Sequence, residues 1–291
     1  MLDNVGRNNV NLKKMKRLVI IHGVTGAIGS ACLSIFASQK DTVVYGISRK
    51  AKDFREFCID GKLPVATLIC SITSETYQPR MATYFAQAIE TKAFDEVYYI
   101  HAVGVYAFEI DAQGNRTVSF DNDADGIDDR CKELAMLFET FHSSLPYHLQ
   151  KPVRSFLFGG IADKYEPFVH MSWWKTMELL KKDLHDFAKS VTWKTEKGKF
   201  PIAVSLINIS SVLCPNEIIT RPFVFSATDS NPQYWLLPND VAVFIDKLIN
   251  KGQTQKFKEY SLFKKLPGFS ESYYDDENFT PRKIKELYGK L

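Results

Sequence analysis

The segment from Lys16 to Ser30, KRLVIIHGVTGAIGS, constrains the fold of this chain more than any other. A run of apolar, β-branched residues is followed by Gly23, Gly26 and Gly29, and a helical pattern begins there. In a strand–turn–helix unit, one glycine permits a sharp turn, a second lets a pyrophosphate approach the backbone, and a third lets the helix pack closely. The helix N-terminus then offers N–H groups and a positive dipole end. The segment predicts a dinucleotide-binding turn, although glycines with a purely steric role are the simpler alternative.

Strand and helix patterns alternate along the rest of the chain. Near-continuous apolar runs, typical of parallel strands buried on both faces, occur at 18–22, 42–47, 65–70, 96–101, 153–158 and 202–209. Helical patterns occur at 28–39, 75–92, 127–142, 171–191 and 238–250. This alternation predicts an α/β fold with a doubly wound parallel sheet, Rossmann-like, in a single domain.

The predicted domain covers residues 16–252. Residues 1–15 are polar and rich in Asn, which predicts a disordered N-terminal arm. Residues 253–291 are rich in Lys, Tyr and Asp, and we expect this C-terminal extension to pack on the same domain.

The end of the second predicted strand carries the second binding signal. The run TVVYGI leads into Ser48 and Arg49, at the position where an acidic residue would accept hydrogen bonds from the adenosine ribose. Arg49 is instead a planar cation suited to a 2′-phosphate, and Ser48 supplies a further donor. The pattern favours NADP(H), whereas a surface arginine on a loop is the alternative.

Composition and charge exclude several classes of function. The formal net charge of +3 is too small for a nucleic-acid-binding surface, and no stretch approaches the roughly 20 apolar residues of a membrane span. The five cysteines are scattered without a CxxC pair, which is typical of free thiols in a reducing compartment. The sequence therefore predicts a cytoplasmic protein with a small-molecule substrate, not bound to nucleic acid or membrane.

Over most of residues 17–250 the chain resembles the short-chain dehydrogenase/reductase superfamily. VTGAIG at 24–29 is similar to the glycine motif of its extended and atypical branches, and SRK at 48–50 is similar to its NADP-selecting strand end. Further similar segments follow in the family's order: CSIT at 70–73, HAVG at 101–104 and LPNDVAVFIDKLI at 237–249. The resemblance implies a homodimer and an NADP(H) cofactor. It assigns cofactor binding to Gly23, Thr25, Gly26, Ile28, Gly29, Ser48, Arg49, Ser71, Ile72, Ala102, Val103, Gly104 and Lys175.

The chain departs from the family at the residues that carry the chemistry. The family uses a Tyr to transfer a proton, a Lys four residues later, and a Ser about a dozen residues earlier to orient the substrate carbonyl. Lys175 matches the Lys, but Met171 stands where the Tyr is expected. Near the expected Ser the sequence has Phe158, Gly159 and Gly160. The resemblance therefore indicates an atypical member.

Three side chains near Lys175 are candidates for the missing proton donor. His170 titrates near neutral pH, but as the neighbour of Met171 it points about 100° away around the helix. Ser172 precedes Lys175 by three residues, and Tyr165 lies in the preceding loop. A packing role for His170 and a solvated position for Lys175 are the structural alternatives.

Three functions follow from this pattern. The first is an atypical NADP(H)-dependent oxidoreductase that reduces a carbonyl or performs a related reaction. The second is a lyase or isomerase on the same fold, which needs no Tyr acid. The third is a non-catalytic NADP(H)-binding sensor or scaffold, which the missing Tyr and Ser favour.

An acidic segment at 121–133, DNDADGIDDRCKE, is close to a calcium-binding loop. Asp121, Asp123, Asp125 and Gly126 follow the loop order, but Lys132 occupies the place of the bidentate Glu. We favour an acidic surface insertion and predict no metal site.

Overall fold

A computed structural model describes the six predicted strands, four further strands and two helices. The residues described are 17–48, 65–69, 94–103, 107–110, 116–119, 153–160, 186, 189, 202–210, 212–213, 235–252, 257–264 and 272–275. The strands are β1 Arg17–His22, β2 Thr42–Ser48, β3 Val65–Ile69, β4 Glu96–His101, β5 Ala107–Ile110, β6 Arg116–Ser119, β7 Val153–Gly160, β8 Ile202–Ile209, β9 Phe257–Leu262 and β10 Tyr273–Asp275. The helices are α1 Ala27–Ala37 and α2 Pro238–Lys251.

Eight of these strands form one sheet in the order β10-β9-β8-β7-β4-β1-β2-β3. Every neighbouring pair is parallel except β9 with β10, which is antiparallel. From β1 the chain builds outward to β2 and β3, and then returns to place β4 on the other side of β1. The strand order thus reverses between β1 and β4, and their carboxyl ends border the crevice where such sheets bind ligands. The predicted doubly wound α/β fold is confirmed.

The two described helices cover one face of the sheet. Side chains alternate along a strand, and one set, represented by Val19, Ile100 and Ile207, packs with Leu33 of α1 and Ile245 of α2 in a single apolar core. The opposite set is buried as well: Leu18 and Ile20 of β1 have no exposed surface. Burial on both faces explains why the strands are near-continuous apolar runs.

The six strands and two of the helices predicted from the sequence are present with small shifts of their ends. The helix predicted at 28–39 spans Ala27–Ala37, and the one at 238–250 spans Pro238–Lys251. The predicted helices 75–92 and 127–142 lie outside the described residues, as does 171–191 except for Asp186 and Lys189, which are helical. The predicted arm at 1–15 also lies outside them.

Two structural features were not predicted. β5 and β6 form a separate antiparallel pair. β9 and β10, which belong to the C-terminal extension, continue the main sheet beyond β8. The sequence FKEYSL of β9 places Lys258 and Glu259 within an apolar run, and β10 is three residues long, so neither gives a clear strand pattern.

In the described ranges, no helix combines the length and the apolar character that crossing a bilayer requires.

Candidate functional site

The glycine turn lies at the carboxyl end of β1, where the strand order reverses. Gly23 has a φ of +81°, a left-handed conformation that L side chains rarely adopt. Its N–H donates to the Ile47 carbonyl at the end of β2 (2.9 Å), and the Val24 N–H donates to the same oxygen (3.2 Å). The Gly26 N–H then donates to the Gly23 carbonyl (2.9 Å). These bonds fix the turn against β2 before the helix begins.

Packing within the protein requires glycine at two of the three positions, 23 and 29. A β-carbon on Gly23 would lie 2.5 Å from the Ala102 carbonyl oxygen, which follows β4. A β-carbon on Gly29 would overlap the Gly23 carbonyl and lie 2.9 Å from Val24 Cα. The start of α1 therefore packs directly on the turn, with no space for a side chain.

Packing within the protein does not require glycine to the same degree at the third position, 26. Gly26 has φ −75° and ψ 167°, an extended conformation open to any residue. A β-carbon there would lie 3.2 Å from the Gly23 carbonyl oxygen and 3.9 Å from the Ala102 oxygen. The first contact is tighter than is usual for a β-carbon and would require a shift of a few tenths of an ångström, which is less than Gly23 or Gly29 would need. Gly26 is exposed, so its missing side chain leaves the helix N-terminus open to a ligand.

The helix α1 begins with a glycine at the N-cap position. Gly26, the N-cap, has no side chain that could accept a hydrogen bond from the first turn, and the first turn AIGS contains no acidic residue. The Ser30 N–H donates to the Gly26 carbonyl (2.8 Å), which starts the intrahelical series. A helix end of this kind presents N–H groups and positive potential to an anion. This geometry fits the pyrophosphate of a dinucleotide.

The end of β4 forms the other wall of the crevice. β1 and β4 are in register up to His22 and His101, and the Ala102 N–H donates to the His22 carbonyl (2.9 Å). Ala102 and Val103 are half-buried, and the Ala102 carbonyl oxygen faces Gly23. The two predicted segments, the glycine turn and the start of HAVG, thus meet at the switch point.

A buried polar cluster lies at the ends of these same strands. The Tyr99 hydroxyl is 3.1 Å from His22 Nδ1 and 2.9 Å from His101 Nδ1. The two imidazoles are in a T-shaped arrangement with ring centroids 5.4 Å apart. Burial lowers the pKa of His22 to about 3, so this imidazole is neutral at physiological pH. This cluster was not predicted from the sequence. The sequence feature that could have indicated it is a histidine at the last position of two largely apolar strands.

A second polar contact lies further along the same edge. The Asn208 side-chain oxygen of β8 occupies the space that a β-carbon on Gly159 of β7 would take. Asn208 is buried, and its Nδ2 is 3.4 Å from Glu259 Oε1 on β9. Gly159 is one of the three residues near the position where the family's Ser is expected. The buried Asn208 amide therefore lies next to that position. Asn208 and Glu259 were not predicted as site residues from the sequence.

The structure brings together part of the predicted cofactor site. Gly23 and Gly26 lie close to Ala102, with Val103 next in the chain, and Gly29 packs on Gly23 and Val24. Thr25 and Ile28 are half-buried in the same turn and in the first helical turn. Ser48 ends β2, and only its backbone is described. The remaining predicted site residues lie outside the described residues: Arg49, Ser71, Ile72, Gly104, Tyr165, His170, Ser172 and Lys175. The acidic segment 121–133 lies outside them too.

In the part of the chain that the structure describes, no group of three or more His, Cys, Asp or Glu side chains is placed to hold an ion.

Comparison with known proteins identifies the fold. No family model and no curated protein sequence matches the chain. Among solved structures, a short-chain dehydrogenase/reductase from Serratia marcescens BCRC 10948 matches with a TM-score of 0.59 at 12% identity, over 86% of this chain and 97% of that one. The L-sorbose reductase from Gluconobacter frateurii, complexed with NADPH and L-sorbose, matches with a TM-score of 0.57 at 14% identity, over 79% of this chain and 88% of that one.

The chain has the Rossmann-like fold of the short-chain dehydrogenases/reductases. A mutant of the Serratia marcescens enzyme, with tyrosine in place of phenylalanine at two positions, matches with a TM-score of 0.61 at 13% identity, over 86% of this chain and 97% of that one. At such identities the likeness establishes the fold, and the site must be argued from this chain's own residues.

Proposed function

We propose that this chain is an NADP(H)-dependent oxidoreductase that acts on a small carbonyl compound or the corresponding alcohol. The observation that carries the proposal is the open Gly26 at the uncapped N-terminus of α1, placed at the switch point of the sheet. Among the described residues, packing constrains Gly26 much less than Gly23 and Gly29, whereas a bound pyrophosphate would require this helix end to be open. The solved L-sorbose reductase of the same fold is complexed with NADPH, which supports a nicotinamide cofactor.

The chain's own residues would hold the dinucleotide in three places. The N–H groups at the start of α1 bind the pyrophosphate, because Gly26 leaves them accessible. Ser48 and Arg49, at the end of β2, bind the 2′-phosphate that distinguishes NADPH from NADH. Ala102 and Val103, at the end of β4, lie on the nicotinamide side of the switch point. When bound, the reduced nicotinamide supplies a hydride.

Reduction of a carbonyl also needs a proton at the substrate oxygen, and the family's Tyr is replaced by Met171. We assign Lys175 to the nicotinamide ribose and seek the proton donor among His170, Ser172 and Tyr165. His170 is the first choice because its ordinary pKa lies close to neutral. A non-catalytic NADP(H)-binding protein is the second candidate, favoured by the loss of the Tyr and the Ser.

Titration of the purified protein with NADPH and with NADH, followed by fluorescence, tests the proposal. We expect NADPH to bind more tightly, and Arg49→Ala to weaken NADPH by at least tenfold while leaving NADH nearly unchanged. Arg49→Lys keeps the charge without the planar fork and should lie between these values. An equal loss for both cofactors in Arg49→Ala would contradict the assignment of the 2′-phosphate.

Incubation of the NADPH complex with a panel of carbonyl compounds then separates the two candidates. Consumption of NADPH that is lost in Lys175→Ala supports the oxidoreductase. Tight binding without consumption by any compound favours the non-catalytic protein. The absence of binding to either nucleotide would contradict both.

A further inference from the structure

The strands that meet beneath the glycine turn end in an unusual buried group. His22 is the last residue of β1, His101 is the last residue of β4, and the two are register partners. Tyr99 lies two residues before His101, so its side chain is on the same face of the sheet. Their exposed fractions are 4% for His22, 2% for His101 and 0% for Tyr99. Three polar rings are therefore buried together at the carboxyl ends of both strands, whereas Leu18, Ile20 and Val97 on the same face are apolar.

The geometry of this group restricts where its protons lie. The Tyr99 hydroxyl has one hydrogen and lies within hydrogen-bond distance of two Nδ1 atoms, at 3.1 Å from His22 and 2.9 Å from His101. It can donate to one Nδ1 and must then accept from the other. Between neutral imidazoles this requires opposite tautomers, with the proton on Nδ1 in one ring and on Nε2 in the other.

The side-chain group is linked to the turn through the backbone. Gly23 follows His22 directly, and the His22 carbonyl accepts the Ala102 N–H (2.9 Å). The Ala102 carbonyl oxygen in turn lies so close to Gly23 that a β-carbon there would be 2.5 Å away. Any separation of β1 from β4 at this end would move the Gly23 backbone and, with it, the start of α1.

We propose that His22, Tyr99 and His101 form a positioning unit, a hydrogen-bonded bridge that holds the phosphate-binding turn against the end of β4 in its ligand-binding conformation. None of the three touches the reacting atoms in this assignment. Their role is to act through Gly23 and Ala102. The role in cofactor affinity rests on the proposed function, whereas the effect on the turn does not.

Tyr99→Phe tests the unit because it removes the bridging hydroxyl and keeps the ring. Tyr98→Phe is the matched control, since Tyr98 is the neighbouring residue, is buried, and packs on the opposite face beside Phe156 with ring centroids 6.5 Å apart. Hydrogen exchange of the Gly23, Val24 and Ala102 amides is measured in both variants and compared with the amide of Ile207 in β8. We expect Tyr99→Phe to speed exchange at the turn at least tenfold with little change at Ile207, and Tyr98→Phe to leave the turn unchanged.

Two further readouts separate positioning from a loss of overall stability. The NADPH dissociation constant should rise about tenfold in Tyr99→Phe and stay within twofold in Tyr98→Phe. Nitrogen-15 NMR of the wild-type imidazoles should show one ring protonated on Nδ1 and the other on Nε2. The same tautomer in both rings, or turn amides in Tyr99→Phe that exchange as in the wild type, would overturn the inference.

Failure of the proposed function gives a different result. If the wild-type chain binds neither NADPH nor NADH, the function is wrong. The exchange and tautomer measurements, which need no ligand, still decide whether the unit holds the turn.

Discussion

The two described helices begin in opposite ways. α1 starts at Gly26 with no side-chain cap and no acid in its first turn. α2 starts after Leu237, has Pro238 at its first position, and is capped by Asp240, whose carboxylate accepts the Leu237 N–H (2.8 Å). The Asp240 N–H donates back to the Leu237 carbonyl (2.9 Å). The N-terminus of α2 therefore has a hydrogen-bond acceptor and a negative charge in its own Asp240. The N-terminus of α1 has neither an acidic residue nor a side chain at its N-cap.

The difference teaches where a ligand is expected, because the two helices otherwise have much in common. They pack side by side on one face of the sheet, and both connect parallel strands, so both begin near its carboxyl edge. An acid in the first turn stabilises a helix by about 0.3–1 kcal/mol. α1 lacks the stabilisation that an acidic residue would give. It begins at the switch point, where an anionic ligand would supply the negative charge instead.

The largest effect is expected from Gly29→Ala, because its β-carbon would overlap the Gly23 carbonyl, a backbone atom that cannot rotate away. We expect a loss of about 3 kcal/mol or more in the free energy of unfolding. In Gly46→Ala the added carbon meets the Val24 side chain at 2.9 Å, and a side chain can adjust. Chemical denaturation of both variants checks the order, and a smaller loss in Gly29→Ala than in Gly46→Ala would contradict the packing described for the turn.

Ala27→Glu gives α1 the acid that α2 already has. We expect it to lower NADPH affinity by about tenfold or more relative to Ala27→Gln, which has nearly the same size but no charge. Without ligand, Ala27→Glu should be the more stable of the two by about 0.3–1 kcal/mol. Isothermal titration and thermal unfolding measure the two effects. Equal NADPH affinity in both variants would show that the end of α1 does not face the phosphates.

A smaller effect is expected from Asp240→Ala, which removes the cap of α2. The free energy of unfolding should fall by about 0.5–1 kcal/mol, because the Leu237 N–H loses its partner and the helix dipole loses its charge. Asp240→Asn keeps an acceptor and should lose less. The N-terminus of α2 is capped by its own Asp240 and is not proposed to contact the cofactor. Neither variant should therefore change the NADPH dissociation constant by more than about twofold. A large change would mean that the two helix ends share one site.

Local patterns account for what the sequence predicted correctly. Gly23, Gly26 and Gly29 lie within one short strand–turn–helix segment. Their spacing predicts this local geometry without information from the rest of the chain. The parallel strands were also clear, because burial on both faces makes them apolar throughout. The strand β9 was missed, because Lys258 and Glu259 interrupt its apolar pattern.

The polar contacts were missed for a different reason. Tyr99 meets His22 across 77 residues of sequence, and the Asn208 oxygen meets Gly159 through the pairing of β7 with β8. Such contacts depend on strand order and register, which composition and periodicity do not specify. Sequence reasoning therefore found the turn that we propose binds a ligand but not the groups packed beneath and beside it.

The most direct test of the central claim is the NADPH affinity of Gly26→Ala, compared with Gly252→Ala. Gly252 ends α2 with a φ of +73° and a ψ of 154°, a conformation essentially restricted to glycine, so its substitution should cost about 1–3 kcal/mol of stability without reaching the site. Gly26→Ala should cost no more than that, since its backbone is extended. We predict that Gly26→Ala loses NADPH affinity at least tenfold while Gly252→Ala retains it. A folded Gly26→Ala protein that binds NADPH as tightly as the wild type would contradict the account.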